Sequence, residues 1–117
     1  MYGLPEGFDG SFFVRRVLEL VSYTSNTLFL AFDNDVAITI ESSYEYTINE
    51  LHVERQAIPV ASSALMQLIG HSVESVEAER DGTLTLQFDE GHVLRCFDDL
   101  PNYESYSIAR GNDRIFV

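Results

Sequence analysis

The sequence contains no lysine and no tryptophan, one cysteine and three prolines. A single cysteine excludes an intramolecular disulfide, which suits a reducing compartment. No uninterrupted apolar stretch approaches the roughly 20 residues that a helix needs to span a bilayer. The first residues also lack the basic start and apolar run of a secretory signal. These absences predict a cytoplasmic protein that does not enter a membrane.

Positive charge is scarce as well. Nineteen acidic residues face seven arginines, which gives a formal net charge of −12, and the excess is spread evenly on either side of Ile58. Such a field repels nucleic-acid phosphates and anionic membranes and attracts basic proteins. We therefore expect a basic protein partner and no nucleic acid. The alternative is that the charge only keeps a small β-rich protein soluble.

The residue patterns of metal and catalytic sites are missing too. His52, His71 and His92 are widely spaced and have no second ligand at metal-binding spacing, so we expect no metal and no cofactor. There is no Gly-x-Ser-x-Gly motif, and Cys96 alternates with Leu94 on an apolar strand, as a core residue does. Paired carboxylates fall in turns, where Asp commonly bonds to the local backbone. These patterns predict a protein that is not an enzyme.

What the chain does contain is a repeat. With a shift of 56 positions, six residues of one half are identical to residues of the other. The matches are Val17 with Val73, Thr27 with Thr83, Leu28 with Leu84, Leu30 with Leu86, Phe32 with Phe88 and Asp33 with Asp89. After a four-residue gain in the second copy, Tyr46 matches Tyr106. A long period that occurs only twice indicates a duplicated unit whose two copies cover each other.

The second copy shows the β pattern most clearly. Leu84, Leu86 and Phe88 alternate with polar residues, which predicts a strand with one apolar and one wet face. The preceding Asp81-Gly82 pair predicts a two-residue hairpin turn. Other strands of similar length surround this one, separated by short turn segments.

The first copy differs on the second face of its central strand. There it carries Phe29 and Ala31, where the other copy has Thr85 and Gln87. This difference predicts that the strand is covered on both sides. Either a short helix that we expect near residues 62–69 or the phenylalanine-rich N-terminal segment would cover the second face.

We predict a single domain over residues 1–117, with duplicated units at about 11–48 and 67–108 and one short helix near 62–69. The fold class is α+β, mostly β. Two antiparallel β-meanders each have an apolar face that must be covered, so they should pack about a pseudo-twofold axis as a sandwich or a curved sheet.

Three segments carry a family resemblance. Residues 70–76 read Gly-His-Ser-Val-Glu-Ser-Val, residues 81–91 include Leu-Thr-Leu-Gln-Phe, and residues 103–108 read Tyr-Glu-Ser-Tyr-Ser-Ile. This pattern resembles a family of small bacterial domains of unknown function with a duplicated β-meander. The resemblance implies the fold and brings no catalytic motif. The family is in turn loosely similar to small acidic proteins encoded near toxins, some of which act as immunity proteins.

Tyrosines interleaved with acids form the constellation that indicates binding. Tyrosines beside carboxylates can anchor a basic partner, because the ring supplies contact area while the acid pairs with Arg or Lys. Tyr46 and Tyr106, which match in the repeat, are better suited to the core. The predicted partner-binding residues are Tyr44, Glu45, Asp98, Asp99, Tyr103 and Glu104. A purely solvated face is the alternative for this set.

The leading hypothesis is a non-enzymatic, acidic protein-binding domain. It would be an immunity-type inhibitor that covers the basic active cleft of a toxin, such as a nuclease domain. The alternative is a structural or regulatory module that forms a homodimer through a sheet edge. A carrier of a small ligand, held in a pocket between the two halves, is a third hypothesis.

Overall fold

The computed structural model describes residues 3–49, 51–58 and 64–117, and for residues 51–54 it describes the backbone alone. Ten strands lie within these residues. They are β1 (Leu18–Tyr23), β2 (Leu28–Phe32), β3 (Val36–Ile40), β4 (Ser43–Ile48), β5 (Leu51–Ala57), β6 (Val73–Ala78), β7 (Leu84–Phe88), β8 (Val93–Cys96), β9 (Tyr106–Arg110) and β10 (Asp113–Phe116). They form two antiparallel five-stranded sheets, which confirms the prediction of a mostly β protein built from two sheets.

Each half forms a three-stranded meander and gives its fourth strand to the other sheet. The first sheet has the order β1-β2-β3-β9-β10, and the second has the order β5-β4-β8-β7-β6. Thus β4 leaves the first meander to pair with β8, and β9 leaves the second to pair with β3. The pairing pattern of one half maps onto that of the other, as a pseudo-twofold axis requires. The sequence predicted the meanders but not this exchange.

The two halves meet at an isolated antiparallel bridge between Val17 and Ser72. Arg15 and Gly70 flank the bridge at matched positions, and both have a positive φ, of 72° and 90°. Each donates its backbone N–H to a carbonyl of the opposite half at 2.8 Å. These paired bonds place the pseudo-twofold axis beside the bridge.

The inner faces of both sheets form one core. Leu30 and Leu86 are fully buried at equivalent positions of β2 and β7. The rings of Phe32 and Phe88 stack across the halves, with centroids 6.4 Å apart. Cys96 is buried in the same core, as predicted, and burial raises the pKa of its thiol to about 12. At these positions the repeat therefore marks residues that share a setting, whereas Val73 takes the place of Leu18 and not that of Val17.

The tyrosine of the first half that corresponds to Tyr106 in the structure lies two residues before the one that the repeat predicted. Tyr106 lies opposite Ile40, and Tyr44 lies opposite Cys96, which is the counterpart of Ile40. Tyr44, not Tyr46, is therefore the structural equivalent of Tyr106. The second copy gains six residues at this point rather than the predicted four. Tyr46 and Tyr106 are both buried, as predicted.

The predicted two-residue turn at Asp81-Gly82 is longer in the structure. The N–H of Glu79 donates to the carbonyl of Thr83 at 2.9 Å, which encloses three residues, and within them Gly82 alone has a positive φ, of 92°. A three-residue loop that ends in a left-handed glycine is a common hairpin connection. The matching turn of the first copy encloses only two residues, so the two first strands match with a shift of 55 rather than 56.

The predicted short helix is a 3-10 turn over Leu65–Leu68, while residues 62 and 63 lie outside the described residues. A second 3-10 turn, Ser11–Phe13, matches it in the first half. Phe13 and Leu68 are fully buried at matched positions, and the second turn also buries Leu65. Among the residues described, no helix has the length and apolar character needed to cross a membrane.

The central strand of the first meander, β2, is not covered on both faces as predicted. Phe29 projects from its outer face and is partly exposed. The N-terminal phenylalanines pack toward the core instead, because the Ser11–Phe13 turn carries Phe13 inward and Phe12 stacks on it at 4.8 Å. The first sheet therefore presents an apolar outer face.

Candidate functional site

The connection between β8 and β9 carries four of the six predicted partner-binding residues: Asp98, Asp99, Tyr103 and Glu104. It is the segment that crosses from the second sheet to the first. Tyr103 is 70% exposed, the largest exposed fraction among the large hydrophobic residues that the structure describes. Glu104 beside it is half-buried. The exchange of β9 therefore brings an aromatic side chain and several acids onto one connection.

Asp98 fastens this loop to its surroundings. Its carboxylate accepts hydrogen bonds from the N–H of Gly3 at 2.8 Å and from the hydroxyl of Ser105 at 2.9 Å. The Ser105 oxygen in turn accepts the N–H of Leu100 at 2.9 Å. Gly82 packs directly against Asp98, since a Cβ at Gly82 would lie 2.6 Å from the Cβ of Asp98. Asp98 thus holds the loop in shape rather than facing outward.

Asp99 is already paired with a cation of the same chain. Its Oδ2 accepts a hydrogen bond from the Ser43 hydroxyl and lies 3.6 Å from Nη1 of Arg55. Arg55 also stacks over Phe97, with its Cζ 3.6 Å from the ring centroid. These contacts tie the start of the loop to β4 and β5.

Glu45 lies on the outer face of the second sheet, opposite Arg95 of β8. It pairs with Arg95, with Nη1 and Oε1 3.1 Å apart. The same guanidinium lies 3.4 Å from Oε2 of Glu79 and donates from Nε to the Thr85 hydroxyl at 3.3 Å. Two carboxylates share one arginine, so this part of the face keeps an excess of negative charge.

Tyr44 does not belong to this surface. Its side chain is completely buried, and its ring stacks near that of Tyr46 with centroids 6.2 Å apart. The prediction that Tyr44 contacts a partner is therefore wrong for this fold. Alternation along β4 already placed Tyr44 on the side of Tyr46, and that signal should have outweighed its proximity to Glu45.

A second cluster of reactive side chains lies where the β7–β8 turn meets the entry to β6. The rings of His71 and His92 meet edge to face, with centroids 4.6 Å apart. Oε2 of Glu90 lies 4.0 Å from Nδ1 of His71 and 3.9 Å from Nε2 of His92. In the described part of the chain these three residues form a group that could hold a metal ion. Spacing in the sequence missed the cluster because its members converge only in the folded sheet.

Hydrogen bonds already engage both rings. Nδ1 of His71 is hydrogen-bonded to the carboxylate of Asp89. Nδ1 of His92 accepts the backbone N–H of Asn49 at 3.4 Å. A neutral imidazole that accepts at Nδ1 carries its proton on Nε2, so His92 has no lone pair directed at Glu90. To bind a metal there, His92 would have to exchange its tautomer and face the Asn49 donor with another N–H.

The first half contains the counterpart of Asp89. Asp33 accepts the N–H of Val17 at 2.9 Å and lies 3.8 Å from Nη1 of Arg16. Asp89 likewise accepts the N–H of Ser72 at 3.1 Å and bonds a histidine. Both carboxylates therefore hold the strand entries that form the bridge between the halves. This shared structural role explains their identity in the repeat.

The model of a family described as a family of unknown function, DUF6188, matches residues 13–117. The chain belongs to this family. The match confirms the resemblance to a family of unknown function, and it spans both halves of the interlocked fold. Comparisons with curated proteins and with solved structures found no match.

In this DUF6188 domain, Asp89 provides a test of the bridge between the halves. Hydrogen bonds from His71 and Ser72 hold the pKa of Asp89 below its usual 3.8, against the opposing effect of burial. A carboxyl group whose pKa is lower in the folded state than in the unfolded chain stabilises the fold at pH values above the unfolded pKa. This stabilisation is lost as the pH falls through the folded pKa. We expect Asp89→Asn to lower the free energy of unfolding at pH 7 by about 0.5–1.5 kcal/mol, because solvent partly screens a carboxylate that is one-third exposed.

The loss should shrink at pH 2.5, because the stabilisation that comes from a lowered pKa diminishes as the pH falls below the unfolded value of 3.8. Urea unfolding of both forms of the DUF6188 domain at the two pH values measures this difference. Asp113→Asn is the control, because Asp113 is exposed and none of the described ion pairs includes it. An equal loss at both pH values would contradict a charge-dependent role of Asp89.

Proposed function

We propose that this domain is a non-enzymatic binding protein for a basic protein partner. The observation that carries the proposal is the exposure of Tyr103, beside Glu104, on a fastened loop of a chain with a net charge of −12. Interface anchors are often tyrosines, because the ring supplies a large contact area and loses few rotamers on binding. The surrounding negative field speeds the approach of a positively charged surface.

The carboxylates around Tyr103 divide into two groups. Asp98 and Asp99 hold the loop through bonds within the chain, which keeps Tyr103 in place before binding. Such preorganisation lowers the entropic cost of association. Glu104 takes part in none of the ion pairs found among the described residues, so it is the carboxylate that we assign to a partner's arginine or lysine. Glu45 contributes to the field while it stays paired with Arg95.

We further propose that the partner is a toxin, such as a nuclease, and that the domain acts as its immunity-type inhibitor. The sequence-level resemblance to acidic proteins encoded near toxins supports this choice of partner. An active cleft that binds phosphates is basic, so tyrosine and carboxylates can occupy the place of an anionic substrate. The mechanism needs complementary charge and shape, and it needs no reacting group on the inhibitor.

The reactive side chains support binding rather than catalysis. The Cys96 thiol is fully buried with its pKa raised to about 12, so it has little thiolate character at neutral pH. Burial also raises the pKa of Tyr106, whose hydroxyl donates to the Gly82 carbonyl at 2.6 Å. Both histidines that the structure describes with side chains make hydrogen bonds within the fold. Each of these groups has a structural role in the fold.

The test is co-expression with the protein encoded next to this chain. We expect the two proteins to copurify and the toxicity of the neighbour to disappear. The association rate of the purified pair should fall by about tenfold or more as NaCl rises from 50 to 500 mM, because salt screens charge steering. Failure to copurify with toxicity unchanged, or an association rate that ignores salt, would contradict the proposal.

A further inference from the structure

The outer face of the first sheet is apolar and uneven, because large side chains project from some positions and alanines occupy others. Leu20, Phe29 and Phe116 project from it, and they are 49%, 36% and 50% exposed. Ala31, Ala37 and Ala109 lie side by side on β2, β3 and β9 and form a low floor. Phe29 and Phe116 belong to the row of side chains next to this floor, with small hydroxyl residues between them. We call this surface the alanine face.

The second sheet shows that the fold does not require such a face. The pseudo-twofold places Ser75 where the first sheet has Leu20, and Gln87 where it has Ala31. A threonine takes the place of Phe29, and the rest of the equivalent face includes the Glu45–Arg95 pair. Two similar sheets thus fold with opposite outer chemistry. The fold therefore does not require the apolar side chains of the alanine face, and exposed patches of this kind commonly mark a contact surface.

Charge decides which occupant fits this face. The two rows of side chains that form the alanine face contain no acidic residue, and Arg114, at the β10 margin, is their one charged member. Two copies of a chain with a net charge of −12 repel each other over most of their surface. Within these two rows no carboxylates are brought together, and Asp35, which lines the edge of the same depression, lies outside them. A basic partner, in contrast, gains no charge pairing from a surface whose one charged side chain is an arginine.

The relief of the face is also self-complementary. A twofold axis that runs across the strands, between the two rows, places the phenylalanine row of each copy over the alanine row of the other. Phe29 then covers the second copy's Ala31, and Phe116 meets its Arg114. An aromatic ring against a small side chain fills space well, and an arginine over a ring adds a cation–π contact. We propose that two copies of the domain pair through their alanine faces about such an axis.

This pairing is expected to be weak. Five strands spaced about 4.8 Å apart, with two rows of side chains, bury on the order of 500 Å² per copy, less than the roughly 800 Å² of a standard interface. A dissociation constant in the micromolar range or weaker follows from so small a contact. The dimer should therefore appear only as the protein is concentrated.

Salt separates this proposal from the binding of a basic partner. Screening weakens the repulsion between two acidic copies, so dimerisation should strengthen as NaCl rises from 50 to 500 mM. Association with a basic partner should weaken over the same range. The two proposals can therefore fail independently, since one is read from the purified protein alone and the other needs the neighbouring protein.

Sedimentation velocity from about 5 to 500 µM tests the dimer with two matched pairs of variants. Leu20→Glu and Ala31→Glu put a carboxylate on the alanine face and should weaken dimerisation at least tenfold. Ser75→Glu and Gln87→Glu make comparable substitutions at the equivalent positions of the second sheet and should change it less than twofold. Circular dichroism and thermal unfolding establish that each variant folds, and either variant of a pair suffices if the other does not.

Three outcomes would overturn the proposal. The first is a protein that stays monomeric at 500 µM in high salt. The second is an equal effect of both pairs, which would show that added charge alone opposes association. The third is a dimer that survives Ala31→Glu, because β2 is an inner strand and pairing through a sheet edge would leave its outer face untouched.

Discussion

Replacing Leu30 or Leu86 with alanine should lower the free energy of unfolding by about 3–5 kcal/mol in each case. Both side chains are fully buried in the shared core at equivalent positions of β2 and β7. Truncating a buried leucine removes transfer free energy and leaves a cavity that close packing cannot fill. Because the two positions share a setting, the two losses should agree within about 1 kcal/mol.

The shape of the transition matters as much as the size of the loss. Interlocked halves should unfold together, so each variant should show one urea transition with an unchanged slope. Leu20→Ala is the control, because Leu20 is about half exposed and should cost much less. Two separate transitions, or a loss confined to one of the two leucine variants, would contradict a single core.

Tyr103→Ala should weaken binding of the co-expressed partner by tenfold or more. Tyr103 projects from a loop held by hydrogen bonds, and truncating an aromatic anchor at an interface commonly costs about 2 kcal/mol or more. The stability of the free domain should change little, because the side chain is mostly exposed. Calorimetric titration with the purified partner measures the change in affinity.

Two further variants identify what Tyr103 contributes. Tyr103→Phe should keep most of the affinity if the ring supplies contact area. Tyr23→Ala removes a partly exposed tyrosine from β1, in the first sheet, and should leave binding unchanged. If Tyr103→Ala and Tyr23→Ala bound the partner with equal affinity, the connection between β8 and β9 would not be part of the binding surface.

Local pattern predicted much of the fold. Alternation placed Leu84, Leu86 and Phe88 on one face, and all three are buried on the inner side of β7. The repeat predicted the matched settings of Leu30 and Leu86. These inferences succeed because a strand's pleat fixes which face each side chain takes, whatever its neighbours are.

Long-range pairing could not be predicted in this way. Alternation shows which face of β4 is buried, but it does not tell whether β3 or β8 is the neighbouring strand. The meeting of His71 with His92 depends on the same tertiary arrangement. The two halves also differ in loop length, and this moved the tyrosine that corresponds to Tyr106 from Tyr46 to Tyr44. A gain of six residues and a gain of four both preserve the alternation of the strand, so the local pattern could not distinguish them.

The exchange of fourth strands produces the single core and the loop that carries Tyr103. Its most direct test is a disulfide between cysteines introduced at Ala37 and Ala109, which lie opposite each other on β3 and β9. Oxidation of Ala37→Cys/Ala109→Cys at low protein concentration should link the two within one chain, as peptide mass spectrometry would show. If each meander kept its own fourth strand, β4 would take the place of β9 beside β3. The double variant Ala37→Cys/Thr47→Cys, in which Thr47 is the pseudo-twofold counterpart of Ala109, would then form the disulfide readily. That result would disprove the exchange.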